Sequence, residues 1–181
     1  PQASPASAAA LHTLLEWAAD QAVPVALDVN WRPTFWDVGA DPGSGPPASA
    51  KQAIRRLLDR AMLIKLAREE ALWFFQSDDP VSVSQALPQR PDVVVTDGAQ
   101  PVRCCIDGAV FRLPVLAPPQ VVDTTGAGDA FTAGLLHCWD RPINERLRFA
   151  AACGALVCAG AGAIDPQPTH QDAEDFAASQ S

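Results

Sequence analysis

The stretch Asp123-Thr124-Thr125-Gly126-Ala127-Gly128-Asp129-Ala130-Phe131 constrains this chain more than any other. Val121 and Val122 lead into it, and the apolar-rich segment from Ala130 to Trp139 follows. The order predicts a short extended segment, a turn of small residues and a helix start. A turn of that kind aims several backbone N–H groups at one point, where the helix dipole also favours negative charge. The carboxylate of Asp129 sits among those donors. An anion cradle with a base inside it suits transfer of a phosphoryl group to a hydroxyl. The glycines alone read equally well as a tight turn, with Asp129 serving the helix N-terminus. A dinucleotide fingerprint fits poorly, because Phe131 occupies the place of the third glycine in G-x-G-x-x-G.

The remaining composition narrows the choices. A chain of 181 residues can form one domain with a real core. A net charge of −8 without a basic stripe argues against nucleic acid or an anionic membrane as partner. No apolar run is long enough to span a bilayer, and no signal peptide is apparent. Five cysteines, Cys104, Cys105, Cys138, Cys153 and Cys158, include no C-x-x-C pair. They read as free thiols in a reducing cytoplasm. His12, His137 and His170 lack the spacing of zinc ligands. The chain opens on Pro1 and its only methionine is Met62, which reads like the middle of a gene.

Periodicity gives the elements. Ala8 to Ala22 has one apolar helical face through Leu11, Leu14, Leu15 and Ala18. Val23 to Leu27, Met62 to Leu66 and Asp92 to Thr96 read as strands, the first two being short apolar runs suited to a parallel sheet. Asn30 to Pro47 reads as a long loop. Lys51 to Arg60, Glu69 to Phe75 and Val81 to Leu87 read as helices. Asp107-Gly108 predicts a hairpin between Val102–Ile106 and Ala109–Leu113. Ala130 to Cys138 and Ile143 to Cys158 read as helices around Pro142, and Thr169 to Asp172 as a capping box. Strands alternating with helices imply an α/β layer fold with a mainly parallel sheet, in which ligands bind beyond the C-terminal strand ends. Asp28, Lys65, Thr96 and Asp123 are expected at or near four such ends, converging on one cleft. Trp17, Trp73 and Trp139 are expected to pack in the core or between helices.

Several shorter motifs carry polar chemistry. Asp28, Asn30 and Arg32 place a carboxylate, an amide and a guanidinium at alternate positions after the first strand. They can contact a polyol and an incoming phosphate, or serve their own loop. Trp31 and Trp36 share that loop, which puts them near a bound polyol. Glu69 and Glu70 read as first-turn helix acids. Thr96 and Gly98, at a strand end, suit an anionic ligand or a simple turn. Phe149 to Leu156 is small-residue helix suited to close packing.

Taken together, these segments resemble the ribokinase-like (PfkB) carbohydrate kinases, fructokinases most of all. The resemblance runs from the helix before Asp28 to the last helix. It implies a three-layer ribokinase-like α/β fold, of which residues 1–181 form a single C-terminal part, with N-terminal strands and a β lid lying outside this chain. Asp129 falls on the family's catalytic base, and Gly126, Ala127 and Gly128 on its anion-binding amides. Thr96, Gly98, Thr125, Cys153, Gly154 and Gly162 fall on segments that border ATP. Asp28, Asn30 and Arg32 fall on a D-x-N-x-R segment of sugar contacts. Glu70 falls on a glutamate that helps place the Mg2+–phosphate complex through water, although Ala67 replaces the family asparagine. Asp123 falls beside a monovalent-cation loop, K+ in many relatives. The implied reaction is transfer of the ATP γ-phosphate to a primary hydroxyl of a ketohexose such as fructose, in the cytoplasm. A 2-keto-3-deoxygluconate kinase, or a non-catalytic nucleotide-binding remnant, are the alternatives. The family's lid is a common homodimer surface, so the complete protein is expected to have one available.

Overall fold

The computed structural model describes residues 4–118 and 120–180. The chain divides into two compact units, Pro1–Asp97 with Val102–Arg112, and Gly98–Pro101 with Leu113–Ser181.

The first unit is built on strands. β1 (Ala26–Asp28), β2 (Leu63–Ala67) and β3 (Asp92–Asp97) are followed by β4 (Gln100–Ile106) and β5 (Ala109–Leu113), and the sheet keeps that order. β1 pairs parallel with β2, and β2 parallel with β3. β4 and β5 are joined through Asp107 and Gly108, at φ 50° and 75°. Two left-handed residues in succession make the tight turn that the Asp-Gly pair predicted. Helices α2 (Ala48–Leu58), α3 (Arg68–Phe75) and α4 (Pro80–Gln85) fill the crossovers, as parallel neighbours require.

The side-chain alternation of the strands sorts the core. Ile64, Leu66, Val93 and Val95 point to one face and pack with Ala50, Ile54, Leu58, Ala71 and Val83 from the helices and with Leu87 just beyond α4. Leu63 and Val94, facing the other way, are buried as well. A sheet covered on both faces explains why β2 and β3 read as near-continuous apolar runs.

Helix α1 (Pro5–Asp20) forms, but none of its residues is fully buried, and Trp17 is 62% exposed. Its half-buried residues are Ala8, Leu11, His12, Leu15 and Ala18, a single helical stripe that leaves Leu14 and Trp17 outside it. Trp139 is 42% exposed and packs under the Arg146 guanidinium of α6, 4.2 Å from its ring, while Trp73 lies against the core. Trp31, expected near a ligand, is instead a core residue, 6% exposed.

The second unit is helical. It contains α5 (Ala127–His137), α6 (Ile143–Val157) and α7 (His170–Ser179). Two glycines let α5 and α6 approach closely. A Cβ on Gly134 would lie 2.9 Å from the Cα of Ala150, and one on Gly154 would lie 3.1 Å from the carbonyl of Ala127. Thr169 caps α7, its hydroxyl accepting from Asp172 N while the Asp172 carboxylate accepts from Thr169 N. Val122 donates to Cys158 O, but Val121 and Val122 are exposed and form no strand, so Asp123 does not follow a strand end.

All five cysteines are free thiols. Among the described residues no helix is long and apolar enough to cross a membrane.

Candidate functional site

The second unit carries the turn that opened the sequence reading. Gly126 caps α5 in the left-handed region, at φ 81°, which a glycine adopts at no steric cost. A Cβ there would also lie 2.7 Å from the Cβ of Ala163. Both backbone conformation and close approach therefore demand glycine. The first helical bond runs from Ala130 N to Gly126 O. Ahead of it, among the described residues, the amides of Gly126, Gly128 and Asp129 have no acceptor within the chain. These are the orphan donors of a helix start. The Ala127 amide, expected in the same set, instead donates to Thr124 O at 3.2 Å and is spent inside the turn.

Asp129 occupies the third position of α5 and its side chain is exposed. Thr132 turns inward to its own helix, donating to Gly128 O.

Asp123 organises the approach to this turn. Its Oδ1 accepts from Thr125 N at 2.9 Å and Thr125 Oγ1 at 2.7 Å, and its Oδ2 accepts from Gly162 N at 2.9 Å. The Thr125 hydroxyl, then the amides of Thr125 and Gly162, hold the Asp123 carboxyl below its ordinary value. The residue that the resemblance set beside a cation loop thus spends its carboxylate on three N–H and O–H donors. It clamps the 123–125 turn to the Gly160–Ala163 loop. Gly162, at φ 79°, faces open space. Cys153 and Gly154 lie on the α5–α6 seam, and burial pushes the Cys153 thiol up to about 11.

The first unit carries the other polar cluster. In the parallel register Asp28 lies opposite Lys65, so both side chains leave the sheet on one face. They form an ion pair of 3.0 Å with little exposure on either side. Lys65 is a functional candidate that sequence reading placed at a strand end without a role. Its signal was a lone cation inside an apolar strand run.

Glu70 sits at the third position of α3 and is 5% exposed. Its Oε2 accepts from Ala67 N at 2.7 Å, and its Oε1 from Trp31 N at 2.5 Å. Ala67 has no acceptor of its own to return the favour, so this is half of a capping box. Burial raises the Glu70 carboxyl above its ordinary value. The amides of Ala67 and Trp31, then Lys65, pull it back, and Asp28 adds to the rise.

The loop beyond β1 is fixed by these contacts. Asn30 is left-handed, at φ 46°, a conformation asparagine tolerates. Trp31 is held by Glu70 at its amide and by Ser44 O at its indole Nε1, 2.8 Å away. Arg32 is exposed, with Nη1 donating to Trp31 O. Thr96, near the end of β3, donates to Leu66 O at 3.4 Å, and Gly98 follows at φ 50°.

Comparison with known proteins follows the same lines. The profile described as pfkB family carbohydrate kinase matches residues 3–170. A fructokinase of Klebsiella pneumoniae is 36% identical over 159 residues, covering 82% of this chain and 49% of its own length. The chain therefore spans about half the length of that curated relative. Among solved structures, a double-mutant fructokinase of Vibrio cholerae O395 in a fructose-, ADP- and potassium-bound form superposes with a TM-score of 0.80. It is 25% identical, and the match covers 96% of this chain and 56% of that one. Fructokinase of Xylella fastidiosa with bound ATP gives a TM-score of 0.76 at 27% identity, over 96% of this chain and 57% of that one. The fold is ribokinase-like, and the chain belongs to the pfkB family of carbohydrate kinases.

Proposed function

We propose that the protein carrying this chain transfers the γ-phosphate of ATP to a primary hydroxyl of a ketohexose, fructose before others. One observation carries the reading. A helix N-terminus with three amides that have no acceptor among the described residues, and an exposed carboxylate at its third position, lies at the family's signature turn. Fructokinases among the relatives support the substrate class.

In this reading the amides of Gly126, Gly128 and Asp129, with the α5 dipole behind them, take up charge that grows on the transferring phosphoryl oxygens. Fixed donors of this kind need no reorganisation as the charge develops. Asp129 accepts the proton of the attacking hydroxyl. Its side chain is exposed and open to the attacking hydroxyl. Arg32 offers a cation to the sugar or its phosphate, and Asp28 and Asn30 offer an acceptor and an amide to sugar hydroxyls. Gly98, Thr125, Cys153, Gly154 and Gly162, all of the second unit, border the nucleotide. Glu70, buried and with each oxygen on a backbone donor, does not fit a metal-holding group. Asp123 keeps the turn and the 160–163 loop together.

A substrate panel tests the reading. With ATP and Mg2+, ADP release by the natural polypeptide that carries this sequence should depend on fructose. Release driven by 2-keto-3-deoxygluconate instead would reassign the sugar. Saturable nucleotide binding with no sugar-dependent release would leave a nucleotide-binding protein without transfer.

A further inference from the structure

We propose that Glu70 is a positioning residue for the Asp28–Arg32 loop and not a group that places a metal–phosphate complex. The inference rests on the reading of that loop as the sugar contact. It begins with topology. The β1–β2 register brings the end of β1 beside β2, and α3 starts immediately after β2. Helix side chains lean toward the N-terminus, so a glutamate at the third position of α3 points back at the strand end it came from. One Glu70 oxygen returns to Ala67 N, at the β2–α3 junction. The other is left to reach across 39 residues to Trp31 N.

The consequence is a loop held at both ends. Asp28 is tied to Lys65, and Trp31 is tied to Glu70 at its backbone and to Ser44 at its indole. Its ring is set in the core. Between those anchors Asn30 adopts the left-handed bend that reverses the chain. Arg32 follows directly and is exposed, with Nη1 donating back to Trp31 O. Without Glu70 the buried Trp31 amide would lose its acceptor, which favours another loop path. A carboxylate shut away from solvent, with one backbone donor on each oxygen, is suited to holding backbone. A water-bridged metal calls for an oxygen that faces solvent.

Hydrogen exchange and ligand titration on Glu70→Gln test this, with the exposed neighbour Glu69→Gln as control for lost helix charge. Glutamine keeps one acceptor oxygen but turns an NH2 group toward the second amide. Protection of the Trp31 amide should fall by about tenfold in Glu70→Gln and stay unchanged in Glu69→Gln. Fructose affinity should fall by a similar factor, while ATP affinity and its Mg2+ dependence stay as in the parent. In the unmodified protein the Trp31 amide should exchange more slowly than those of Asn30 and Arg32, a readout independent of whether any variant folds. Equal, fast exchange at the three amides would overturn the proposal. So would a Mg2+-dependent loss of ATP affinity with fructose affinity kept, or a loss of protection spread evenly over β2 and β3. If the unmodified protein binds no fructose, the fructose reading fails, and the exchange of Trp31 still decides the role of Glu70.

Discussion

Asp123 and Gly162 are joined by a hydrogen bond of 2.9 Å from the glycine amide to the aspartate Oδ2. The bond closes a ring of chain that runs from the signature turn through α5 and α6 and back. The same carboxylate takes two bonds from Thr125. Because these donors favour the ionised form, the Asp123 carboxyl titrates below its ordinary 3.8. The sign follows from linkage. A carboxyl with a depressed value in the folded state stabilises that state above the ordinary value, and the contribution disappears as pH falls through the depressed one. The clamp should therefore hold at pH 4 and release only in more acid solution. Amide exchange at Gly162 measured across that range checks it, and release above pH 4 would contradict it.

The glycines of the two loops should respond differently to alanine. Gly126 and Gly162 share a left-handed backbone, at φ 81° and 79°, but only Gly126 has a neighbour in the path of a Cβ. Gly162→Ala should cost the backbone term alone, about 1–2 kcal/mol. Gly126→Ala should cost more, because Ala163 must move as well. Urea denaturation of the two variants measures the difference. Equal losses would place the strain in the backbone only.

The buried ion pair of the first unit should be fragile to loss of one member. Lys65→Met leaves the Asp28 carboxylate without its ammonium in a site with little solvent. Breaking a buried pair in this way costs about 3–5 kcal/mol. Chemical denaturation gives the value directly, and a change below 1 kcal/mol would show that the pair is solvated.

The exposed face of α1 should tolerate polar residues. Leu14 is 55% exposed and Trp17 62%. Leu14→Ser with Trp17→Ser should shift stability by no more than about 0.5 kcal/mol per site. The change should also lower self-association in sedimentation, since a row of exposed apolar groups is sticky. A large loss of stability would mean that this face is covered in solution.

Much of this architecture was legible in the residues. β2 and β3 announced themselves as apolar runs because both faces of the sheet are covered, and Asp107-Gly108 marked its turn because two left-handed residues must sit there. Gly126 was legible for the same reason. What escaped the sequence was contact between distant residues. Nothing local says that Glu70 meets the amide of Trp31, and a glutamate in a first helical turn looks alike whether it faces water or a buried loop. Trp31 and Trp17 exchanged their expected places for a related reason. Periodicity assigns a residue to a stripe but does not say how wide the covered part of that stripe is, and Trp17 falls just beyond it. The Ala127 amide was misassigned because a turn that tightens by one bond, to Thr124 O, leaves the composition unchanged.

The central claim is that Asp129 takes the proton while the amides around Gly126 hold the phosphate. Asp129→Asn keeps the shape of the side chain and removes its basicity. Turnover and nucleotide affinity measured together in the natural polypeptide that carries this sequence give the most direct test. The account predicts a loss of turnover of about 100-fold or more, in line with the usual worth of a general base, with ATP affinity within a factor of about three. Turnover retained in Asp129→Asn, or lost only in step with ATP affinity, would contradict it.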